Sequence, residues 1–335
     1  MNSDTHRRLE NVPPRVSAIV TAYNGGQFIR DALESILAQT RPVDEVVVID
    51  DGSTDDTAPI VERYAERGVR LVRQENRGLP EARNRGIRET TGELIAFLDC
   101  DDMWLPEKTK IQVDYLADHP QVGLATCLTS WWEPQSGRRG FWKPRLPGAN
   151  GTRRQLVVHN AVGNASAVMV RRHVLEDVGQ FDSNQIWAED WELWRRVAER
   201  WRIESVDRPL IIYRSTSNSL TQQKRWSRVE AYYQFARSAI ARFRPAYWRP
   251  VLFLQAWSLR EFGRAGCAKI EGMPRWKYLR HSMLALFSYP FQLATEKAKS
   301  FARAVVGERF FSAYRSARDH CGKALRRYGR SPQFR

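Results

Sequence analysis

The chain of 335 residues lacks features that define several common classes of protein. No uninterrupted apolar run reaches the roughly 18 to 20 residues that a membrane-spanning helix needs, because the longest candidate, residues 281–295, is short and contains Pro290. Residues 1–15 are polar and include no apolar stretch typical of a signal peptide. The four cysteines lie far apart and form no C-x-x-C pair, which fits a reducing compartment. We therefore expect a cytoplasmic protein.

Two phosphate-binding signatures are also missing. Neither G-x-G-x-x-G nor G-x-x-x-x-G-K-[ST] occurs, so nothing in the sequence favours a dinucleotide dehydrogenase or a P-loop ATPase. Any phosphate groups that the protein binds would have to be held by a metal ion instead.

Acidic residues are scarce in the last third of the chain. Residues 1–214 contain 29 Lys and Arg against 32 Asp and Glu, whereas residues 215–335 contain 24 against 6. All of the net charge of +15 therefore comes from the second segment. This asymmetry predicts two parts with different partners, the basic one facing something anionic.

Short apolar runs alternate with helical patterns in the first third of the chain. The runs occupy residues 16–20, 45–49, 69–73 and 94–98. Such alternation predicts βαβ units, hence an α/β fold with a mostly parallel sheet flanked by helices. Residues 121–213 predict a twisted hairpin, a strand and a helix from 190 to 201. Only helical patterns follow, and we place the boundary at residues 215–219.

Acidic residues cluster where two of the predicted strands end. Asp50 and Asp51 follow the second strand, and Asp99, Asp101 and Asp102 follow the fourth. Clustered carboxylates repel one another unless a cation joins them, and Mg²⁺ or Mn²⁺ takes one or two carboxylates together with substrate phosphates. Because apolar residues flank the second cluster, we favour a metal site there over a solvated turn. At the first cluster, a nucleoside contact and a turn with a helix cap stay equally open.

Five short motifs occur in a fixed order. They are V-S-A-I-V-T-A-Y-N at 16–24, I-D-D-G-S-T-D at 49–55, N-R-G with A-R-N at 76–84, G-E-L-I-A-F-L-D-C-D-D at 92–102 and E-D-x-x-L-W at 189–194. In this order and spacing the sequence resembles family 2 glycosyltransferases over about residues 15–214. The resemblance implies the GT-A fold, in which a nucleotide-sugar-binding half, 15–120, continues into an acceptor-binding half, 121–214.

The resemblance also implies roles in the nucleotide-binding half. Thr21, Tyr23 and Asp51 match positions that contact the nucleoside, with Tyr23 stacked on the base. Arg83 is a further candidate for the nucleotide, and Asp99 matches an acid nearer the ribose. The implied donor is a nucleotide-diphosphate sugar, with a UDP-sugar favoured.

The remaining implied roles concern the metal and the chemistry. Asp101 matches the direct ligand of Mn²⁺ or Mg²⁺ in a D-x-D motif, and Asp190 matches the catalytic base. Trp187, Glu189 and Trp191 lie beside that base and are candidates for the acceptor site. Without the resemblance, acids at 189–190 are also typical of a helix start, where they complement the helix dipole.

The implied reaction is inverting transfer of a sugar to a hydroxyl of a saccharide or lipid-linked acceptor, as in polysaccharide synthesis. Two alternatives stay open: a nucleotide-sugar-binding protein without transferase activity, and a sugar nucleotidyltransferase. The second would need a basic residue in the loop at 23–26, which has none. Trp131, Trp132 and Trp142 in the predicted hairpin are interpreted as packing residues rather than sugar-stacking ones.

The basic region, residues 215–335, lies outside the resemblance. Aromatic and basic residues interleave over 297–318 in the pattern of an amphipathic helix on an anionic membrane. A helical hairpin with a solvated basic rim explains the pattern equally well. No nucleic-acid recognition signature is present, so we expect no nucleic-acid partner. We expect residues 1–14 to be poorly ordered and peripheral membrane contact to be one alternative for the location.

Overall fold

The structure, a computed structural model, describes part of the chain. The described residues are 13–144, 146–185, 187–215, 225–243 and 249–270, together with 277, 280–282 and 284. The chain divides into two compact units, Met1–Gln223 and Lys224–Arg335. The expectations for residues 1–12, for the boundary at 216–219 and for the pattern at 297–318 lie outside the described residues.

Four parallel strands form the first half of the sheet in the first unit. They are β1 Val16–Ala22, β2 Glu45–Asp50, β3 Val69–Arg73 and β4 Leu94–Asp99, with helices α1 Ile29–Leu37, α2 Thr57–Glu62 and α3 Leu79–Glu89 between them. Their order is β3-β2-β1-β4, and the three pairings are parallel. The predicted α/β class and its parallel sheet are therefore confirmed for this half. Its acidic strand ends lie at one edge, as parallel strands require.

The core of this half follows from the apolar pattern. Every residue of β1 is buried, and α1 buries Ile29, Ala32, Leu33 and Ile36, which are spaced three or four apart. The spacing of Ile60, Val61, Tyr64 and Ala65 predicts a helix that ends at Gly68, and helix α2 is shorter than this. It ends at Glu62, and a separate 3-10 helix, Ala65–Arg67, precedes Gly68, whose φ of 83° is left-handed.

The second half of the sheet is mixed. Its strands are β5 Met103–Trp104, β6 Val122–Glu133, β7 Arg138–Trp142, β8 Met169–Arg171 and β9 Arg202–Arg214; its helices are α4 Lys108–Asp118, α5 Ala149–Gln155, α6 Arg172–Val178 and α7 Glu189–Arg200. Strand β8 runs antiparallel to β4 and joins the halves into one nine-stranded sheet. Strands β6 and β7 form the predicted hairpin, and β6 also pairs with β8 and with β9.

The described part of the second unit is helical. Helices α8 Arg225–Arg242 and α9 Arg249–Ile270 are joined by ion pairs from Arg260 and Arg264 to Glu230, both at 2.9 Å. This agrees with the helical character predicted for the basic region. Among the described residues, none of the helices combines the length and apolar character needed to cross a bilayer.

Candidate active site

The loop after β1 is fastened to the loop after β2. The backbone N–H of Asn24 donates to Ser53 Oγ at 2.9 Å, and the N–H of Gly25 donates to Thr57 Oγ1 at 2.9 Å. These bonds fix the backbone on either side of the strand end. The side chain of Tyr23 points outward and is 51% exposed, so its ring face is open to a ligand.

The two acids that end β2 have different surroundings. The carboxylate of Asp50 accepts hydrogen bonds from the N–H of Ser53 and from Arg73, as in the turn interpretation. The carboxylate of Asp51 instead holds the chain that follows β3, accepting from the N–H of Arg77 at 2.9 Å and of Gly78 at 2.8 Å. Asp51 thereby positions the N-terminus of α3 at the rim of the site.

A buried arginine connects the acid that ends β4 with an acid at the start of α7. Arg83 on α3 is 2% exposed; its Nη2 donates to Asp99 Oδ1 at 2.8 Å and its Nη1 to Glu189 Oε1 at 3.0 Å. Burial opposes the charge of Arg83, but Asp99 and Glu189 raise its pKa overall. Asp99 also accepts from the hydroxyl of Thr21, its register partner on β1, at 3.3 Å. Arg83 therefore orients the acids rather than presenting its charge to solvent.

The acids of the D-x-D segment differ in whether their carboxylates accept hydrogen bonds. Asp102 is 1% exposed and accepts from Ser166 Oγ at 2.6 Å, from the N–H of Arg214 at 3.1 Å and from Asn164 Nδ2 at 3.2 Å. It ties β4 to β9 and is structural. Asp101 is the open acid, because within the described part of the chain no side chain donates a hydrogen bond to its carboxylate. Burial, and then the charge of Asp99, raise the pKa of Asp101 to about 6.

The donor set at this strand end suits a hard divalent cation. No cluster of three or more His, Cys, Asp or Glu ligands occurs among the described residues. Mg²⁺ and Mn²⁺ nevertheless bind to one open carboxylate beside a second, because substrate phosphates and water complete the coordination shell. The raised pKa of Asp101 marks a carboxylate that a nearby positive charge would stabilise. The residues present thus fit such an ion.

Asp190 lies at the start of α7 beside two oriented groups. Its Oδ2 accepts from Asn160 Nδ2 at 3.2 Å, and its Oδ1 accepts from the N–H of Trp191 at 2.6 Å. The amide of Asn160 is itself fixed, because its Oδ1 accepts from the N–H groups of Val162 and Gly163. Burial, and then the adjacent charge of Glu189, raise the pKa of Asp190 to about 8. A carboxyl group that titrates near neutral pH is suited to proton transfer.

The three residues predicted for the acceptor site are not placed alike. Trp191 is 2% exposed and its Nε1 donates to the carbonyl of Leu156 at 2.6 Å, so its ring packs in the interior. Glu189 is 8% exposed and is held by Arg83, and burial raises its pKa although Arg83 opposes the shift. Trp187 is half-buried just before α7.

Four polar residues that take part in this network were not predicted from the sequence. Asn160 contacts Asp190, while Asn164, Ser166 and Arg214 contact Asp102. Each lies at least 30 positions from the acid it contacts. No local pattern marks these residues, because their partners are brought to them only by the sheet order.

The sequence matches a family of known proteins. Residues 17–179 match the family model "Glycosyl transferase family 2". That match covers β1 to β4, with the acidic strand ends, and extends to the end of α6. Residues 17–179, just under half of the chain, therefore form a region of glycosyltransferase family 2.

Individual relatives and solved structures are also similar to this chain. The amylovoran biosynthesis glycosyltransferase AmsE of Erwinia amylovora is 25% identical over 243 residues, which cover 71% of this chain and 90% of AmsE. S. aureus TarS 1–349, solved with UDP-GlcNAc, superposes with a TM-score of 0.60 at 18% identity, covering 89% of this chain and 92% of that chain. The mannosyltransferase PcManGT from Pyrobaculum calidifontis, solved with GDP-Man and Mn²⁺, gives a TM-score of 0.55 at 24% identity, covering 88% and 87%.

These likenesses establish the GT-A fold for this chain. Several further curated relatives, 31% to 36% identical, are matched over only 35% to 63% of their own lengths. The chain therefore spans less than two thirds of those proteins.

Proposed function

We propose that this protein is an inverting glycosyltransferase that moves a sugar from a nucleotide-diphosphate sugar to a hydroxyl of a saccharide or lipid-linked acceptor. The observation that carries the proposal is the Arg83 bridge, because one buried cation joins Asp99 at the donor strand end to Glu189, the neighbour of Asp190. The bridge holds the acids for donor binding and the acid for proton transfer in one arrangement.

Donor binding is assigned to the ends of β1, β2 and β4. Tyr23 would offer its exposed ring to the base, Asp51 and Thr21 would lie beside the nucleoside, and Asp99 would lie nearer the ribose. Asp101 would hold the Mn²⁺ or Mg²⁺ ion. When bound, that ion would neutralise the charge that grows on the leaving diphosphate. The structures of TarS with UDP-GlcNAc and of PcManGT with GDP-Man and Mn²⁺ support this assignment by analogy of fold.

Proton transfer is assigned to Asp190. As the acceptor hydroxyl attacks the anomeric carbon, the carboxylate of Asp190 takes its proton, and the bond from that carbon to the diphosphate breaks on the opposite face. Asn160 holds one carboxylate oxygen of Asp190, which leaves lone pairs on that group for the hydroxyl. General-base assistance of this kind contributes about 10²- to 10⁴-fold to the rate.

The proposal also includes the acceptor and the location of the protein. AmsE is described as an amylovoran biosynthesis enzyme, which supports a role in polysaccharide synthesis. We further propose a cytoplasmic protein whose basic region, residues 215–335, contacts anionic membrane near a lipid-linked acceptor. Sedimentation of the full chain with vesicles tests this: phosphatidylglycerol vesicles should bind it at low salt and phosphatidylcholine vesicles should not. Equal binding to both would remove the idea.

The central experiment screens hydrolysis and transfer from UDP-, GDP- and dTDP-sugars with Mn²⁺ and compares two variants. Asp190→Asn should bind UDP with the wild-type affinity in calorimetry but lose 10²- to 10⁴-fold in transfer. Asp101→Ala should lose the Mn²⁺-dependent part of UDP binding. Glu199→Gln, on the exposed side of α7, is the matched control and should behave as the wild type. Wild-type transfer by Asp190→Asn would refute the proposed base.

A further inference from the structure

The hairpin of β6 and β7 presents two tryptophans on one of its faces. Trp142 lies opposite Thr129, and Gly140 lies opposite Trp131, so Trp131 and Trp142 share a face as diagonal neighbours. An ideal Cβ on Gly140 would lie 2.6 Å from three atoms of the Trp131 ring, which means that this indole lies across β7 where a side chain is absent. Trp142 is 37% exposed.

This face leads directly to the proposed base. An ideal Cβ on Gly163 would lie 2.3 Å from Cζ3 of Trp142, so the ring is in contact with the backbone of Gly163. The carbonyl of Gly163 accepts from Asn160 Nδ2 at 3.1 Å, and the same nitrogen donates to Asp190 at 3.2 Å. Trp142 is thus linked to Asp190 through Gly163 and Asn160, each of which contacts the next residue.

At the far end of the face, Arg138 forms an ion pair with Glu133, with 3.9 Å between Nη1 and Oε2. The guanidinium carbon of Arg138 lies 6.0 Å from the centroid of the Trp131 ring. Phe141, which is 70% exposed, points to the opposite face because it pairs with Ser130. Trp131 and Trp142 thus lie on one face of the hairpin, and Phe141 lies on the other.

We infer that Trp142 and Trp131 form an acceptor track that binds successive sugar rings of an oligosaccharide. This inference rests on the proposed function, since it specifies the acceptor of the same site. Saccharide sites use aromatic faces to cover the apolar face of a sugar ring, and partly exposed indoles beside a catalytic group meet that need. The track replaces the interpretation of these two tryptophans as packing residues. It also gives the acceptor an aromatic contact that the buried Trp191 does not offer.

The test measures binding of three defined tetrasaccharides by saturation-transfer NMR. The probes are cellotetraose, chitotetraose and a tetrasaccharide containing glucuronic acid, each added to the full chain. The wild type should bind at least one of them. Trp142→Ala should weaken that binding about 10-fold, the effect of truncating a central aromatic contact. Gly140→Ala, which keeps Trp131 but displaces its ring, should weaken it at least 3-fold. Phe141→Ala is the matched control and should bind as the wild type.

The outcomes separate this inference from the proposed function. Absence of binding by the wild type, or equal binding by Trp142→Ala and the wild type, would overturn the track. Loss in Phe141→Ala equal to that in Trp142→Ala would also overturn it, in favour of a general apolar surface. Calorimetry with UDP and Mn²⁺ is run on the same samples. UDP binding without saccharide binding refutes the track alone, whereas saccharide binding without UDP binding refutes the proposed donor site and leaves the track standing.

Discussion

Removal of the buried cation at Arg83 is the sharpest test of how this site is held together. Arg83→Met keeps much of the side-chain volume but leaves Asp99 and Glu189 without the guanidinium that both contact, at 2.8 and 3.0 Å. Breaking a buried ion pair in this way costs about 3–5 kcal/mol, mostly because the remaining charge is left uncompensated. Since Asp99 is 26% exposed at its side chain and Glu189 only 11%, most of that cost should come from Glu189. We therefore expect about 3 kcal/mol of lost unfolding free energy.

Urea unfolding of the full chain measures this loss, and a second substitution identifies its source. Glu189→Gln in the Arg83→Met background removes the stranded charge, so it should restore at least half of the lost stability. Arg83→Lys keeps one charge but cannot bridge both acids, and should fall between the wild type and Arg83→Met.

The pH dependence has a defined sign. Burial already raises the pKa of Glu189, and without Arg83 it rises further, so protonation of Glu189 relieves the variant. The stability difference between wild type and Arg83→Met should shrink as the pH falls from 8 to 5. A loss below about 1 kcal/mol at pH 8, or a difference that grows on acidification, would refute this account of the buried pair.

Further predictions concern the base and the donor loop. Because Asp190 must be ionised to accept a proton and its pKa is raised to about 8, the wild-type transfer rate should increase with pH up to that region; a flat profile from pH 5 to 9 would contradict its role. Asn160→Ala should lower the transfer rate and change this profile without altering UDP affinity, whereas an unchanged profile would show that the amide only supports the fold. Gly25→Ala would place a Cβ 2.5 Å from Cys100 Sγ and should weaken UDP binding in calorimetry. Adding Cys100→Ala should restore that binding, and failure of the double variant to recover would place the cause outside this contact.

The strand and helix pattern of the first half of the sheet was largely predictable because burial there repeats the apolar runs. The segments 45–49 and 94–98 lie within β2 and β4, and the acids that follow them lie at the same sheet edge. The length of α2 was not predictable from its apolar spacing, since the chain turns into a 3-10 helix before Gly68. The antiparallel pairing of β8 with β4 and β6 was also not predicted, because register between distant strands is set by tertiary contacts.

The roles of individual acids were harder to predict from the sequence. The sequence presents Asp99, Asp101 and Asp102 as similar carboxylates, and only their hydrogen bonds distinguish a bridge partner, an open acid and a structural acid. The sequence likewise offered Trp191 as an acceptor candidate, and the structure packs it in the interior with its indole N–H bonded to Leu156.

The sequence by itself determined the α/β class, the positions of the first four strands and the resemblance to the family, because apolar periodicity and short motifs are properties of neighbouring residues. Only the tertiary structure decided that Arg83 is a buried bridge, that Asn160 holds Asp190, and that Trp142 borders the same site. The physical reason is that burial and hydrogen-bond partnership depend on which distant segments the sheet order brings together. Arg83 and Glu189 are 106 positions apart along the chain and 3.0 Å apart in the fold.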